Sequence, residues 1–169
     1  MLTRSEPFLS SLFRGGTAGL AESRVVTRGG AAENVSATYL HPLAPADRIS
    51  AKNTVSVTYA VQVAGLEDLP DSGVWRSAVS VSVEGVEVAR GSTTKTYLGT
   101  DEAILSDCSY EVWLVEDRLE LGSDDGTYFV LHYAAELGVV VASVKMAATG
   151  VPVSAVVYDT VSVHVPDKP

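Results

Sequence analysis

From residue 35 onward, apolar and polar side chains alternate with a period of two. The pattern predicts strands over residues 35–40, 54–63, 74–83, 86–98, 110–116, 127–133, 139–146 and 153–165. Turn-forming clusters rich in Gly, Pro and Asp separate them: HPLAPADR, AGLEDLPDSG, EG, GTDEAILSD, GSDDG, ELG and ATGVP. Within the fourth of these, Thr100 caps a single helical turn over residues 101–105. The run AVSVSVEGVEVAR predicts a hairpin, with Val79, Val81, Val83 and the opposed Val86 and Val88 facing inward, Ser80, Ser82 and Glu84 facing water, and Glu84-Gly85 as the turn. No helical period recurs between strands, so a parallel βαβ fold is excluded. The expected fold is all-β, an antiparallel eight-stranded sandwich.

The first 34 residues read differently. Thr3-Arg4-Ser5-Glu6-Pro7 followed by Phe8, Leu9, Leu12 and Phe13 predicts a short amphipathic helical turn that stops at Gly15-Gly16. Residues 15–34 are rich in Gly, Ala and Arg and predict an extended arm. The organisation expected is an arm over residues 1–34 and a β-sandwich domain over residues 35–169.

Composition narrows the class. The chain has 169 residues, 46% of them hydrophobic and 20% charged, enough for one ordinary core without disulfides. Cys108 is the single cysteine, so no intrachain disulfide forms, which fits a reducing compartment. The apolar residues near the start are split by Ser10 and Ser11 and followed by Arg14, unlike a secretory h-region. Residues 138–158 are long enough to cross a bilayer, but Lys145, Thr149, Gly150 and Pro152 predict two strands and a turn instead, so no membrane partner is expected.

Charge is uneven. Residues 1–52 carry a balance of +2 and residues 53–169 one of −11, giving −9 in total. An acidic body argues against binding nucleic acid through its surface. Arg4, Arg14, Arg24 and Arg28 in the arm are the candidates for a polyanion contact.

Reactive constellations are scarce. His41, His132 and His164 lack the spacing of a zinc site. Pro70-Asp71-Ser72-Gly73 superficially resembles the serine loop of trypsin-like proteases, but Val74 replaces that motif's second glycine and His41 lies too close in sequence. P-loops, G-x-S-x-G elbows and dinucleotide fingerprints do not occur. Glu116, Asp117, Asp124 and Asp125 are the candidate ligands for calcium, the one cofactor considered, at an interface between copies. Trp75 and Trp113 are expected in the core. An enzyme is therefore not expected. A ligand-binding β-barrel and a lectin-like sandwich are the other binding classes weighed.

An amino-terminal arm, eight strands, the two-faced apolar runs YEVWLV and YFVLHY, and a last strand AVVYDTVSVHVPDKP together resemble the single jelly-roll coat subunits of small icosahedral plant viruses. NTVSVTYAVQVAGLEDLP resembles the strand-to-hinge element of tombusvirus-like coats. The resemblance implies a jelly-roll-like capsid subunit that meets other copies of itself in a large symmetric virion assembled in the host cytoplasm, with the arm touching the genome. The chain departs from many such coats in lacking a dense Lys/Arg arm, a lack it shares with tymovirus-like coats. Phage tail, neck and decoration proteins share the same features.

Overall fold

A computed structural model describes residues 8–17, 19–28, 30–122 and 126–162. Eleven strands form one antiparallel sheet: β1 (Phe8–Gly16), β2 (Gly19–Arg28), β3 (Ala31–His41), β4 (Ala44–Ile49), β5 (Thr54–Tyr59), β6 (Val74–Val83), β7 (Val86–Leu105), β8 (Cys108–Leu121), β9 (Thr127–Ala134), β10 (Val139–Met146) and β11 (Pro152–Val157). Each strand pairs with its neighbour in sequence, which leaves β1 and β11 as the two edges. A 3₁₀ turn (Val63–Leu66) and the single-turn helix α1 (Leu69–Ser72) interrupt the meander between β5 and β6. Pro70 suits the start of α1, and Gly73 ends it in the left-handed region at φ 73°, donating its N–H to the Leu69 carbonyl.

Alternation places one apolar set in the concave interior. Trp75, Val79, Val81 and Val115 come from the sheet, Leu43 and Ala44 from the β3–β4 corner, and Leu66 and Leu69 from the helical turns; all are buried. Aromatic rings fill the space between them: Trp113 lies 5.2 Å edge-on from Tyr133, and Tyr59 lies 5.9 Å from Trp75. Leu66 and Leu69 have no exposed surface, so the helical turns plug this core.

A second core lies on the opposite face. Val112 and Val115 are both fully buried, yet three residues apart on β8 they point to opposite sides of the sheet. Val112 packs with Leu105, Ala134 and Val141, and Tyr158 and Val161 cover them from the segment after β11. A register slip at Tyr97/Gly99 shifts the outer part of the β7–β8 hairpin so that Ala103 and Leu105 join Val112. Ser106 and Asp107 close that hairpin with φ 50° and 65° and no glycine. The turn is held from outside: the Ser106 N–H donates to Asp159 O at 3.1 Å, the Ser106 hydroxyl donates to Val161 O at 3.0 Å, and the Val161 N–H donates to the Ser106 hydroxyl at 2.9 Å.

The all-β, antiparallel expectation holds, and so does the hairpin at Glu84-Gly85, whose φ values of 51° and 78° suit a tight two-residue turn, but Val86 and Val88, expected inward, are 66% and 59% exposed, because they lie beside the turn and at the register slip of β6 on β7. Residues 138–158 form β10, a turn and β11, and no helix among the described residues is long and apolar enough to cross a membrane. Four details differ among the described residues. Eleven strands appear where periodicity predicts eight. Residues 8–16 form a strand, not a helical turn, because pairing with β2 from Phe8–Thr27 to Gly16–Gly19 satisfies the backbone and sets Leu9, Ser11 and Phe13 on one face. Residues 19–34, expected as an extended arm, make β2 and begin β3, so the boundary placed at residue 34 falls inside a strand. The predicted turn at 101–105 is likewise strand, paired from Asp101–Val112 to Leu105–Cys108.

Candidate functional site

Three places gather polar chemistry or unsatisfied surface. The first joins the two ends of the described chain. Glu22 is 2% exposed and sits in β2 between β1 and β3. Its Oε1 accepts from the Ser11 hydroxyl at 2.6 Å and from Arg24 Nε at 2.8 Å, and its Oε2 accepts from the Tyr39 hydroxyl at 2.6 Å and from Arg24 Nη2 at 3.1 Å. The Tyr158 hydroxyl lies 2.6 Å from that of Ser11, and its ring meets Phe13 edge-on at 6.4 Å. Burial pushes the Glu22 carboxyl up, but the hydrogen bonds from Arg24, Ser11 and Tyr39 outweigh it and hold the group below the usual carboxylate range. Burial, reinforced by Glu22, raises the Tyr39 hydroxyl. A carboxylate whose lone pairs are this fully committed is a clamp between strands, not a proton acceptor for a substrate.

The second cluster lies in the concave interior. Lys95, 2% exposed, pairs across β7 and β8 with Asp117. His41 lies nearby at the β3–β4 corner, its ring 5.7 Å from Tyr133. The Leu43 N–H donates to His41 Nδ1 at 3.1 Å, so Nδ1 is unprotonated and Nε2 carries the hydrogen. Nε2 lies 3.3 Å from Glu67 Oε1, but no hydrogen bond of good geometry satisfies it. Burial pushes the His41 ring down, Glu67 opposes this, and Lys95 adds to it. Burial raises the Tyr133 hydroxyl to about 12. Packed aromatic rings enclose these groups, and they hold the interior together.

The third place is the outer face beside β11. Glu102, Ile104, His132, Ala142, Val144 and Val157 line an open groove of about 250 Å³. Ile104 is 70% exposed and Val157 65%. Every residue of β11 is exposed, and β11 carries no charge.

The residues singled out from sequence scatter. Arg4 lies outside the described residues, Arg28 ends β2, Arg14 is exposed on β1, and Arg24 is engaged by Glu22. Among the calcium candidates, Asp124 and Asp125 also lie outside the described residues. Glu116 and Asp117 are adjacent and therefore on opposite faces of β8. Each has a cation already: Arg118 Nε donates to Glu116 at 2.8 Å while its guanidinium stacks 3.9 Å from the Tyr128 ring centre, and Lys95 holds Asp117. Among the described residues no three His, Cys, Asp or Glu side chains converge as metal ligands. Trp75 and Trp113 pack with the first core, as expected. Sequence reasoning missed Glu22, Tyr39 and Tyr158, which are distant in sequence. It also missed Lys95, because plain alternation from the Glu84-Gly85 hairpin sets Thr94 opposite Trp75, and the register slip at Val81/Ser82 is what turns Lys95 inward beside it.

Comparison with family models, with curated proteins and with solved structures returned no match to this chain.

Proposed function

We propose that this chain is a non-enzymatic structural subunit that self-assembles, serving as a coat subunit of a virus or phage particle. One observation carries the reading: β11 is a fully exposed, uncharged, valine-rich edge strand. Soluble proteins blunt their sheet edges with lysines, other charges, prolines, bulges or a covering segment, because an unpaired edge recruits other chains. β11 has one proline at its start and a single register slip, and no charge. Its apolar edge is economical only where another chain covers it.

The polar clusters favour the same reading. Glu22 and Lys95 are consumed in holding strands together, and side chains fill the concave interior. The grooves at β11 and at the β8–β9 end, about 250 and 190 Å³, are open and smaller than the roughly 300–1,000 Å³ of pockets that take drug-sized ligands. A jelly roll, built from Greek keys, pairs strands remote in sequence, whereas this sheet is sequential. The coat role is therefore argued from assembly and not from strand order.

Light scattering across a concentration series tests the reading, with electron microscopy of whatever forms. Multi-chain species that grow with concentration are expected, and closed particles would identify a coat. A strictly monomeric protein at every concentration would overturn it.

A further inference from the structure

Resting on the assembly reading, and going one step further, we propose that β11 pairs antiparallel with β11 of a second copy about a two-fold axis at Ala155. The backbone sets the geometry. The Tyr158 N–H donates to Val141 O at 3.0 Å, toward β10. Successive residues of a strand direct their N–H and C=O groups to opposite sides, so Val156 and Ser154 share that direction, and Ala155 and Val157 turn theirs to the open edge. The β10–β11 register, Lys145 with Ser154 and then Met146 with Pro152, leaves Val153 without a β10 partner.

An antiparallel pair related by a two-fold axis normal to the sheet keeps each face on its own side, so residues of like parity must meet. Centring on Ala155 satisfies this. It sets Ala155 against Ala155 of the partner subunit in a hydrogen-bonded pair, and Val157 against Val153, the two most exposed valines of the strand at 65% and 63%. The outer faces of the two copies then run together, joining the two grooves floored by Ala142 and Val144.

A second copy is the occupant that the strand itself specifies, since exposed Val153 and Val157 lie symmetrically about Ala155 on the open edge. Two chains of net charge −9 repel, and residues 146–158 contain no Asp, Glu, Lys or Arg. Copies meeting there bring together a segment that carries no charge to oppose contact. β1, the other free edge, carries Arg14, which would be set against valines if β1 were the partner strand.

The test is a cysteine placed at the axis. In a Cys108→Ser background, which removes the exposed native thiol, Ala155→Cys would bring two cysteines to a Cα separation of about 5.5 Å, within disulfide range. Mild oxidation is expected to yield a covalent dimer, while a cysteine at exposed Leu12 on β1 yields none. Ala155→Lys sets like charges face to face. It is expected to shift half-dissociation to at least about tenfold higher protein concentration, with an unchanged circular dichroism spectrum because Ala155 is exposed. If multi-chain species persist with Ala155→Lys and no disulfide forms, the β11 pairing is overturned and assembly by another surface stands. If the unmodified chain is monomeric throughout, the pairing and the assembly reading both fall.

Discussion

Glu22 and His41 are both buried ionisable groups, and their surroundings push them toward different acid responses. Glu22 keeps its charge because four hydrogen bonds compensate its desolvation. Its value lies below the ordinary 4.5, so its contribution to stability is complete above that pH and is lost as pH falls through the folded-state value. Glu22→Gln removes the charge and unpairs Arg24; it should cost about 2 kcal/mol at neutral pH, discounting for the partial exposure of Arg24. It should also flatten the acid limb of urea midpoints recorded below pH ~4.5. An acid limb identical to that of the unsubstituted protein would assign the acid sensitivity elsewhere. His41 acts in a higher window. Its folded value lies below the ordinary 6.5, so the unfolded chain takes up a proton first and stability falls as pH drops from 6.5 toward the folded value. Protonating Nδ1 also sets it against the donating Leu43 N–H. The groups facing the ring are Glu67 from the helical turns, Lys95 from β7 and Tyr133 from β9, with Asp117 behind Lys95. His41→Asn keeps an acceptor for Leu43 without titrating, so it should abolish the stability slope between about pH 6.5 and 5; a slope that survives would exclude His41 as its source.

The long β7–β8 hairpin depends on close backbone approach as much as on packing. At Gly91, opposite Leu121, an added Cβ would lie 1.7 Å from the Glu120 carbonyl oxygen. Backbone on both sides cannot yield as a flexible side chain would, so Gly91→Ala should prise β7 from β8 and destabilise by about 1–3 kcal/mol. A melting temperature equal to that of the unsubstituted chain would contradict this. How far such elements can be read from sequence depends on how locally they are determined. The β6–β7 hairpin was legible because Glu84-Gly85 specifies the turn, though not the register slip at Val81/Ser82, and β10–β11 was legible because two valine-rich runs flank a turn holding Gly150 and Pro152. β4 was not: Pro45 makes Ala44–Ile49 read as a turn, and it is accommodated in a strand where the β3–β4 register slips at Tyr39 and His41, with the Tyr59 hydroxyl donating to its carbonyl. β1 carried a helical pattern of apolar residues, and only its long pairing with β2 overrode it. The Glu22 clamp was invisible for a related reason, since Ser11, Tyr39 and Tyr158 meet only after the sheet curls.

At the scale of the whole molecule, charge and edge pairing oppose each other. A subunit of net charge −9 approaches its copies against long-range repulsion, while the contact proposed at β11 is apolar and backbone-mediated and is little weakened by salt. Screening should therefore favour assembly. Raising ionic strength from about 0.1 M to 1 M shortens the screening length from roughly 10 Å to 3 Å, which removes repulsion between bodies without competing for strand hydrogen bonds. Acid also lowers the repulsion by protonating exposed carboxylates, but below pH ~4.5 it acts on Glu22 and loosens β1–β3 as well, so salt is the cleaner probe. At fixed protein concentration and neutral pH, the mass-average size by light scattering should rise steadily with sodium chloride, while urea midpoints measured on the Ala155→Lys variant report the subunit's own response to salt. Assembly that weakens as salt is added would mean that copies meet through ion pairs, and would exclude the uncharged edge as the principal contact.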